Sequence, residues 1–113
     1  HPSFNFIGGV PDGIYKNMLI EIKCPSRFCT SDEPPPFYNA QMQIYMQIFN
    51  IKIGYYVEYI QGMGLNIKTV VRDDIWWIWI LPLVKTFWDD IMYWRNSNII
   101  DHPYVQNNHV KIC

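Results

Sequence analysis

The sequence predicts an α/β domain with a mixed β-sheet. Two observations carry that expectation. Short runs rich in Ile, Val and Tyr are closed by Gly, Pro and Asn turn signals, as strands are. A segment of helical length and propensity, Phe37 to Asn50, then separates one pair of such runs from the next. Strands joined by a tight turn pair antiparallel, whereas a helical crossover lets the flanking strands run parallel.

In chain order, Phe4 to Ile7 and Ile14-Tyr15 are expected as short strands on either side of the Gly8-Gly9 and Pro11-Asp12-Gly13 turns. Met18 to Cys24 is expected as the next strand. Pro25 to Pro36, with Ser, Asp, Glu and three consecutive prolines, is expected as a loop. After the helix come a strand over Lys52 to Gln61, a turn at Gly62 and Gly64, and a strand over Ile67 to Arg72. Asp73 or Asp74 can cap a long helix from Ile75 to Arg95, because a carboxylate accepts the free N–H groups of a first turn. Pro82 should kink or divide that helix. Asn96 to Cys113 is polar and Asn-rich, so an irregular tail is expected. This places a core over residues 1–96 and a polar tail over 97–113. No internal repeat is present.

A chain of 113 residues suits one domain or a piece of one, and 50% hydrophobic residues argue against disorder. The formal charge of -1 shows no global basic footprint, so any anion-binding surface has to be local or completed by other subunits. Cys24, Cys29 and Cys113 form no C-x-x-C pair and no closed disulfide set, which reads as reduced thiols in an intracellular protein. Cys24 is expected as a packed thiol. The apolar run Ile75 to Val84 is too short for a bilayer and contains Pro82, so no membrane contact is expected. The start at His1, without a methionine and close to a strand, suggests an excised fragment. His102, His109 and Cys113 match no usual zinc spacing. Trp76, Trp77, Trp79, Trp88 and Trp94 crowd the last helix, where aromatics ordinarily serve a core or a subunit interface.

On a helical wheel, Asn39, Gln43, Gln47 and Asn50 form a polar stripe. Phe37, Tyr38, Met42, Ile44, Tyr45, Ile48 and Phe49 fill the opposite arc, and Gln41 stands in its middle. A buried amide without partners costs roughly 1–3 kcal/mol, so something polar must meet Gln41: a loop carbonyl, or a polar site on a neighbouring strand. Gln43 reads from the wheel as plain surface.

The charges on the Met18 to Cys24 strand sharpen this. Side chains two apart share a face, so Glu21 and Lys23 project together with Leu19. Taken alone, E-x-K is ordinarily a simple ion pair. Asp12, in a turn before an adjacent strand, reaches the same edge if Ile14-Tyr15 pairs with that strand. Two close carboxylates repel unless a cation lies between them, and oxygen ligands suit Mg²⁺ or Mn²⁺. Such a site polarises a phosphate while a neighbouring lysine orients water, the chemistry of a metal-dependent phosphodiesterase.

Pro11-Asp12 followed by Glu21-Ile22-Lys23 resembles the PD-(D/E)XK nuclease signature. Pro11-Asp12-Gly13, Glu21-Ile22-Lys23-Cys24-Pro25 and Tyr38-Asn39-Ala40-Gln41-Met42-Gln43 with Met46 resemble, more narrowly, the bacteriophage lambda exonuclease and YqaJ-type viral recombinase family. His1-Pro2, Arg72-Asp73 and Phe87-Trp88 add to a likeness that runs in order from His1 to about Trp94. The resemblance implies a restriction-endonuclease-like core, a mixed sheet flanked by helices, here without the helices that precede it in the family and carry a further acid. It implies Asp12, Glu21 and the Ile22 backbone carbonyl as ligands of Mg²⁺ (or Mn²⁺), with two ions, Lys23 as the residue that positions water, and Gln41 facing the same site. Ser26, Arg27, Tyr38 and Gln43 are implied as substrate contacts. Val10 stands where the family often has Ser, and the Pro25 to Phe37 loop is short.

The activity implied is end-dependent hydrolysis of linear double-stranded DNA in recombination or repair. The partners implied are DNA, a single-strand annealing recombinase and further copies in a ring. The alternatives are an endonuclease of the same fold, or a truncated, inactive domain that binds DNA or a partner. Abundant Ile, Asn, Lys and Tyr hint at an AT-rich genome such as that of a large DNA virus, which would place the protein at replication sites in host cytoplasm or nucleus.

Overall fold

Residues 1–107 are described in the structure, a computed structural model. The fold is organised around β2 (Met18–Lys23), whose alternation buries Leu19 and Glu21 on one face and leaves Ile22 exposed on the other. β1 (Gly13–Tyr15) folds back on it antiparallel, with Gly13 opposite Ile20 and Tyr15 opposite Met18. Their two-residue turn, Lys16-Asn17, has φ of 48° and 62°, the left-handed pair that matches strand twist in a tight hairpin.

Helix α1 (Pro36–Ile48) crosses over to β3 (Ile53–Ile60), which lies parallel to β2 with Glu21 opposite Tyr56 and Lys23 opposite Glu58. β4 (Gly64–Val71) returns antiparallel to β3 through a turn in which Gly62 and Gly64 take φ of 82° and 96°. The sheet order is therefore β1-β2-β3-β4, the mixed α/β sheet expected from the sequence.

One sheet face packs on α1. Leu19, Tyr56 and Val70 meet Met42, Tyr45 and Met46, with Ile51 closing the cluster. Gly54 permits the approach, since a Cβ there would lie 3.0 Å from Met42 Cε and 3.3 Å from Leu19 Cβ. The inward stripe of α1 is therefore centred on Met42 and Met46, and Phe37, on the arc read as apolar, is 87% exposed.

Several expectations are corrected. Phe4 to Ile7 is not a strand but a turn closed by Ile7 N–H donating to Phe4 O at 3.0 Å. The Phe4 ring packs against Phe6, His1 and Trp77, so its apolar surface is met by aromatic rings rather than by a sheet neighbour. Cys24 is exposed, because β2 ends at Lys23 and the chain turns outward at Pro25. Helix α2 (Asp74–Arg95) runs through Pro82 without dividing; proline removes one N–H, and the rest of the helix continues around it. Its start is capped by Asp73, whose Oδ1 accepts from Trp76 N–H at 2.9 Å.

By its internal contacts the chain forms two units, His1–Trp77 and the segment from Ile78 onward. In the second, two helical turns interrupt the tail expected to be irregular. A 3₁₀ turn (Ile99–Asp101) is capped by Asn98, and α3 (Pro103–Gln106) is capped by His102. His102 also packs edge-on against Trp94 and stacks with Tyr104. His109 and Cys113 lie outside the described residues. Among the described residues no helix is long and apolar enough to cross a membrane.

Candidate active site

The β1–β2 pairing decides where Asp12 goes. Gly13 stands opposite Ile20, so the residue before it comes level with Glu21, and Asp12 Oδ2 accepts the Ile22 N–H at 2.7 Å. That backbone bond holds the turn against β2 and is the main reason the Asp12 carboxyl sits below its ordinary value. Glu21 is its opposite: only 3% exposed, it is pushed up to about 7, chiefly by burial and then by the neighbouring Asp12. The higher proton affinity of the pair thus lies with Glu21, while Asp12 favours the ionised form.

Glu21 Oε1 lies 3.7 Å from Lys23 Nζ, while Glu21 Oε2 is buried with no hydrogen-bond partner. A buried carboxylate oxygen left without a donor is costly, and beside a second carboxylate it is a ready ligand for a hard cation. Asp12 and Glu21 therefore fit a divalent metal by the chemistry of their donors.

Lys23 is held from three sides. Its ammonium approaches Glu21, donates to Gln41 Oε1 at 3.1 Å, and lies 4.5 Å from the centre of the Tyr38 ring. The Gln41 amide is used at both ends, since its Nε2 donates to the Tyr45 hydroxyl at 3.0 Å. The polar outlier on the wheel thus meets a strand lysine rather than a loop carbonyl. Gly8, Lys23, Tyr38, Gln41 and Tyr45 line a cleft of about 520 Å³.

The structure brings Asp12, Glu21, Lys23, Gln41 and Tyr38 together, with Ile22 between the acid and the lysine of β2. Ser26 and Arg27 are exposed in the following loop. Arg27 lines a neighbouring cavity of about 500 Å³ with Phe28, Tyr38, Tyr56 and Glu58. Gln43 is not plain surface. It is 5% exposed; its Nε2 donates to Val71 O at 3.0 Å and to Asn39 Oδ1 at 3.3 Å, and its Oε1 accepts Asp73 N–H at 2.7 Å. The wheel misplaced it because the buried stripe of α1 is rotated toward Met42 and Met46.

Sequence reasoning also missed a second charged group on the same sheet face. Glu58 and Lys68, 1% and 8% exposed, form a buried ion pair at 3.4 Å. Glu58 accepts the Cys29 N–H at 3.1 and 3.3 Å, and Lys68 Nζ donates to Cys29 O at 3.1 Å. The pair thus grips one residue of the 25–35 loop, Cys29, by its backbone N–H and its backbone carbonyl. The available signal was an acid in the aromatic strand Tyr55 to Tyr59 and a lysine in the run Ile67 to Val71, each sharing a face with apolar residues two places away.

No protein-family model matches the chain, and no curated protein sequence matches it at a significant level. Among solved structures, an alkaline exonuclease (LHK-Exo) from Laribacter hongkongensis superposes with a TM-score of 0.73 at 28% identity, over 82% of this chain and 53% of that one. The chain thus spans about half the length of that exonuclease. A fold shared to that degree joins the ordered motifs of the β1–β2 turn, β2 and α1, and makes the chain similar to an alkaline exonuclease of the lambda exonuclease-like, YqaJ type, which supports a place among the PD-(D/E)XK nucleases.

Proposed function

We propose that this chain is the catalytic core of a divalent-metal-dependent deoxyribonuclease that hydrolyses linear double-stranded DNA from an end. One observation carries the reading: two adjoining carboxyls, one with a buried unpartnered oxygen, share a strand edge with a lysine fixed by an amide. The solved exonuclease of the same fold supports it.

In this reading Asp12, Glu21 and the Ile22 carbonyl hold Mg²⁺ or Mn²⁺, with two ions when DNA is bound. The metal, when bound, supplies charge neutralisation at the scissile phosphate and acidifies water. The chain's own groups do the rest. Asp12 is kept ionised by the Ile22 N–H. Glu21, with a raised proton affinity, gives up its proton when a cation arrives. Lys23 offers its N–H groups to the attacking water and the non-bridging phosphate oxygens, its direction set by Gln41 and its charge supported by the Tyr38 ring. The water oxygen bonds to phosphorus as the phosphorus–sugar oxygen bond breaks; the attacking water gives up a proton to solvent, and the departing oxygen takes one up from solvent. Arg27, beside the neighbouring cavity, contacts a phosphate, with Ser26 next to it. Gln43 serves as a structural bolt rather than a substrate contact.

The test uses the full-length protein on linear and closed circular duplexes, with Mg²⁺ or EDTA, beside Lys23→Ala. The expected result is progressive loss of the linear duplex alone, abolished by EDTA and reduced about 10²-fold by the substitution, the scale on which misplaced reacting groups slow a step. Cutting of the circle would favour an endonuclease, and absence of cutting would favour a binding domain. A homo-oligomeric ring and a single-strand annealing recombinase partner belong to the same reading.

A further inference from the structure

We propose that Tyr45 is a positioning residue of this site. Its hydroxyl selects the orientation of the Gln41 amide that meets Lys23, and its ring seats the segment that carries Asp12. The inference rests on the nuclease reading for its catalytic consequence and on geometry for the rest.

A glutamine amide has two nearly isosteric ends of opposite hydrogen-bonding character. Lys23, as an ammonium, can only donate, so it needs Gln41 Oε1 and receives it at 3.1 Å. Rotated by half a turn, the amide would set its NH₂ against the ammonium. The Tyr45 hydroxyl, one helical turn along α1, accepts from Gln41 Nε2 at 3.0 Å and so favours the productive orientation. The hydroxyl is itself well placed, because the Tyr45 ring is 9% exposed and packs in the cluster with Leu19, Met42 and Met46.

The ring has a second contact. Gly9 lies three residues before Asp12, and a Cβ there would collide with Tyr45 Cε1 and sit 3.0 Å from Cδ1. The backbone leading to Asp12 therefore rests directly on the ring, which no side chain at position 9 would allow without displacing it. One tyrosine thus touches both the segment that delivers the acid and the amide that aims the lysine.

The test compares Tyr45→Phe, Gln41→Ala, the double variant and Gly9→Ala in the full-length protein, on linear duplex with Mg²⁺. Tyr45→Phe keeps the ring and loses the acceptor. The expected result is a fall in kcat of roughly tenfold, the size of one neutral hydrogen bond, with KM for DNA within about twofold. The double variant should be no slower than Gln41→Ala alone, because both changes remove the same amide orientation. Gly9→Ala should lower kcat by displacing the ring with its hydroxyl intact. A wild-type kcat for Tyr45→Phe, or losses that multiply in the double variant, overturns the proposal. The Gln41 side-chain amide resonances in a ¹⁵N correlation spectrum provide a readout independent of activity. Tyr45→Phe should shift and broaden them, and unchanged resonances overturn the positioning role even if the protein proves to be no nuclease.

Discussion

Glu21 carries a physical conflict that pH exposes. Burial and the adjacent Asp12 raise it from 4.5 to about 7, so the folded protein holds a proton that the unfolded chain has lost by then. The stability linked to this group is fully present below about pH 4.5 and disappears as pH rises through about 7. Asp12, lowered from 3.8, acts the other way and only at the acid end: its contribution is present above that value and is lost as pH falls below it. For protein stripped with EDTA, the melting temperature should therefore fall between pH 5 and pH 8 by more than it does in Glu21→Gln. Adding Mg²⁺ at pH 8 should restore it in the wild type and not in the variant. Differential scanning fluorimetry across that window checks both; identical pH profiles for the two proteins would count against the raised proton affinity of Glu21.

Among the elements, α1 is the one whose role the helical wheel misread. Its Gln43 joins three parts of the fold, bonding the end of β4 at Val71 and the start of α2 at Asp73 from a buried position. Gln43→Ala would leave a carbonyl and an N–H unpaired next to a small cavity, a loss on the order of 2–4 kcal/mol. Urea denaturation should show it as a lowered midpoint. A change below about 0.5 kcal/mol, the range of ordinary surface substitutions, would mean that water replaces the amide without cost. β2, by contrast, was legible from its letters alone. Alternation at period two puts Leu19, Glu21 and Lys23 on one face whatever the rest of the chain does, and the structure packs that face on α1.

Across the sheet, the Glu58–Lys68 pair ties strands β3 and β4 to the loop that follows β2. Removing one member leaves the other charge buried, whereas replacing both with apolar groups of similar volume is often neutral. Lys68→Ala should thus destabilise by about 3–5 kcal/mol, and Glu58→Leu with Lys68→Met should come close to the wild-type stability. The double variant should still lose the grip on Cys29, and limited proteolysis within residues 25–35 should accelerate. If the loop stays equally resistant, its proline-rich backbone rather than the ion pair holds it.

The amino-acid order by itself determined the mixed sheet, its helical crossover and the shared face of Glu21 and Lys23, because strand periodicity and turn chemistry are local. It also ordered the motifs that carry the family likeness. It could not show that Phe4 to Ile7 closes into a turn among aromatic rings, since Trp77, against which Phe4 and His1 pack, lies some seventy residues away. Nor could it rotate the α1 wheel to its buried stripe, pair Glu58 with Lys68, or set Tyr45 behind Gln41. Those follow from which surfaces meet, and the cost of burying a charge or an amide without a partner is assessed only once the chain has folded.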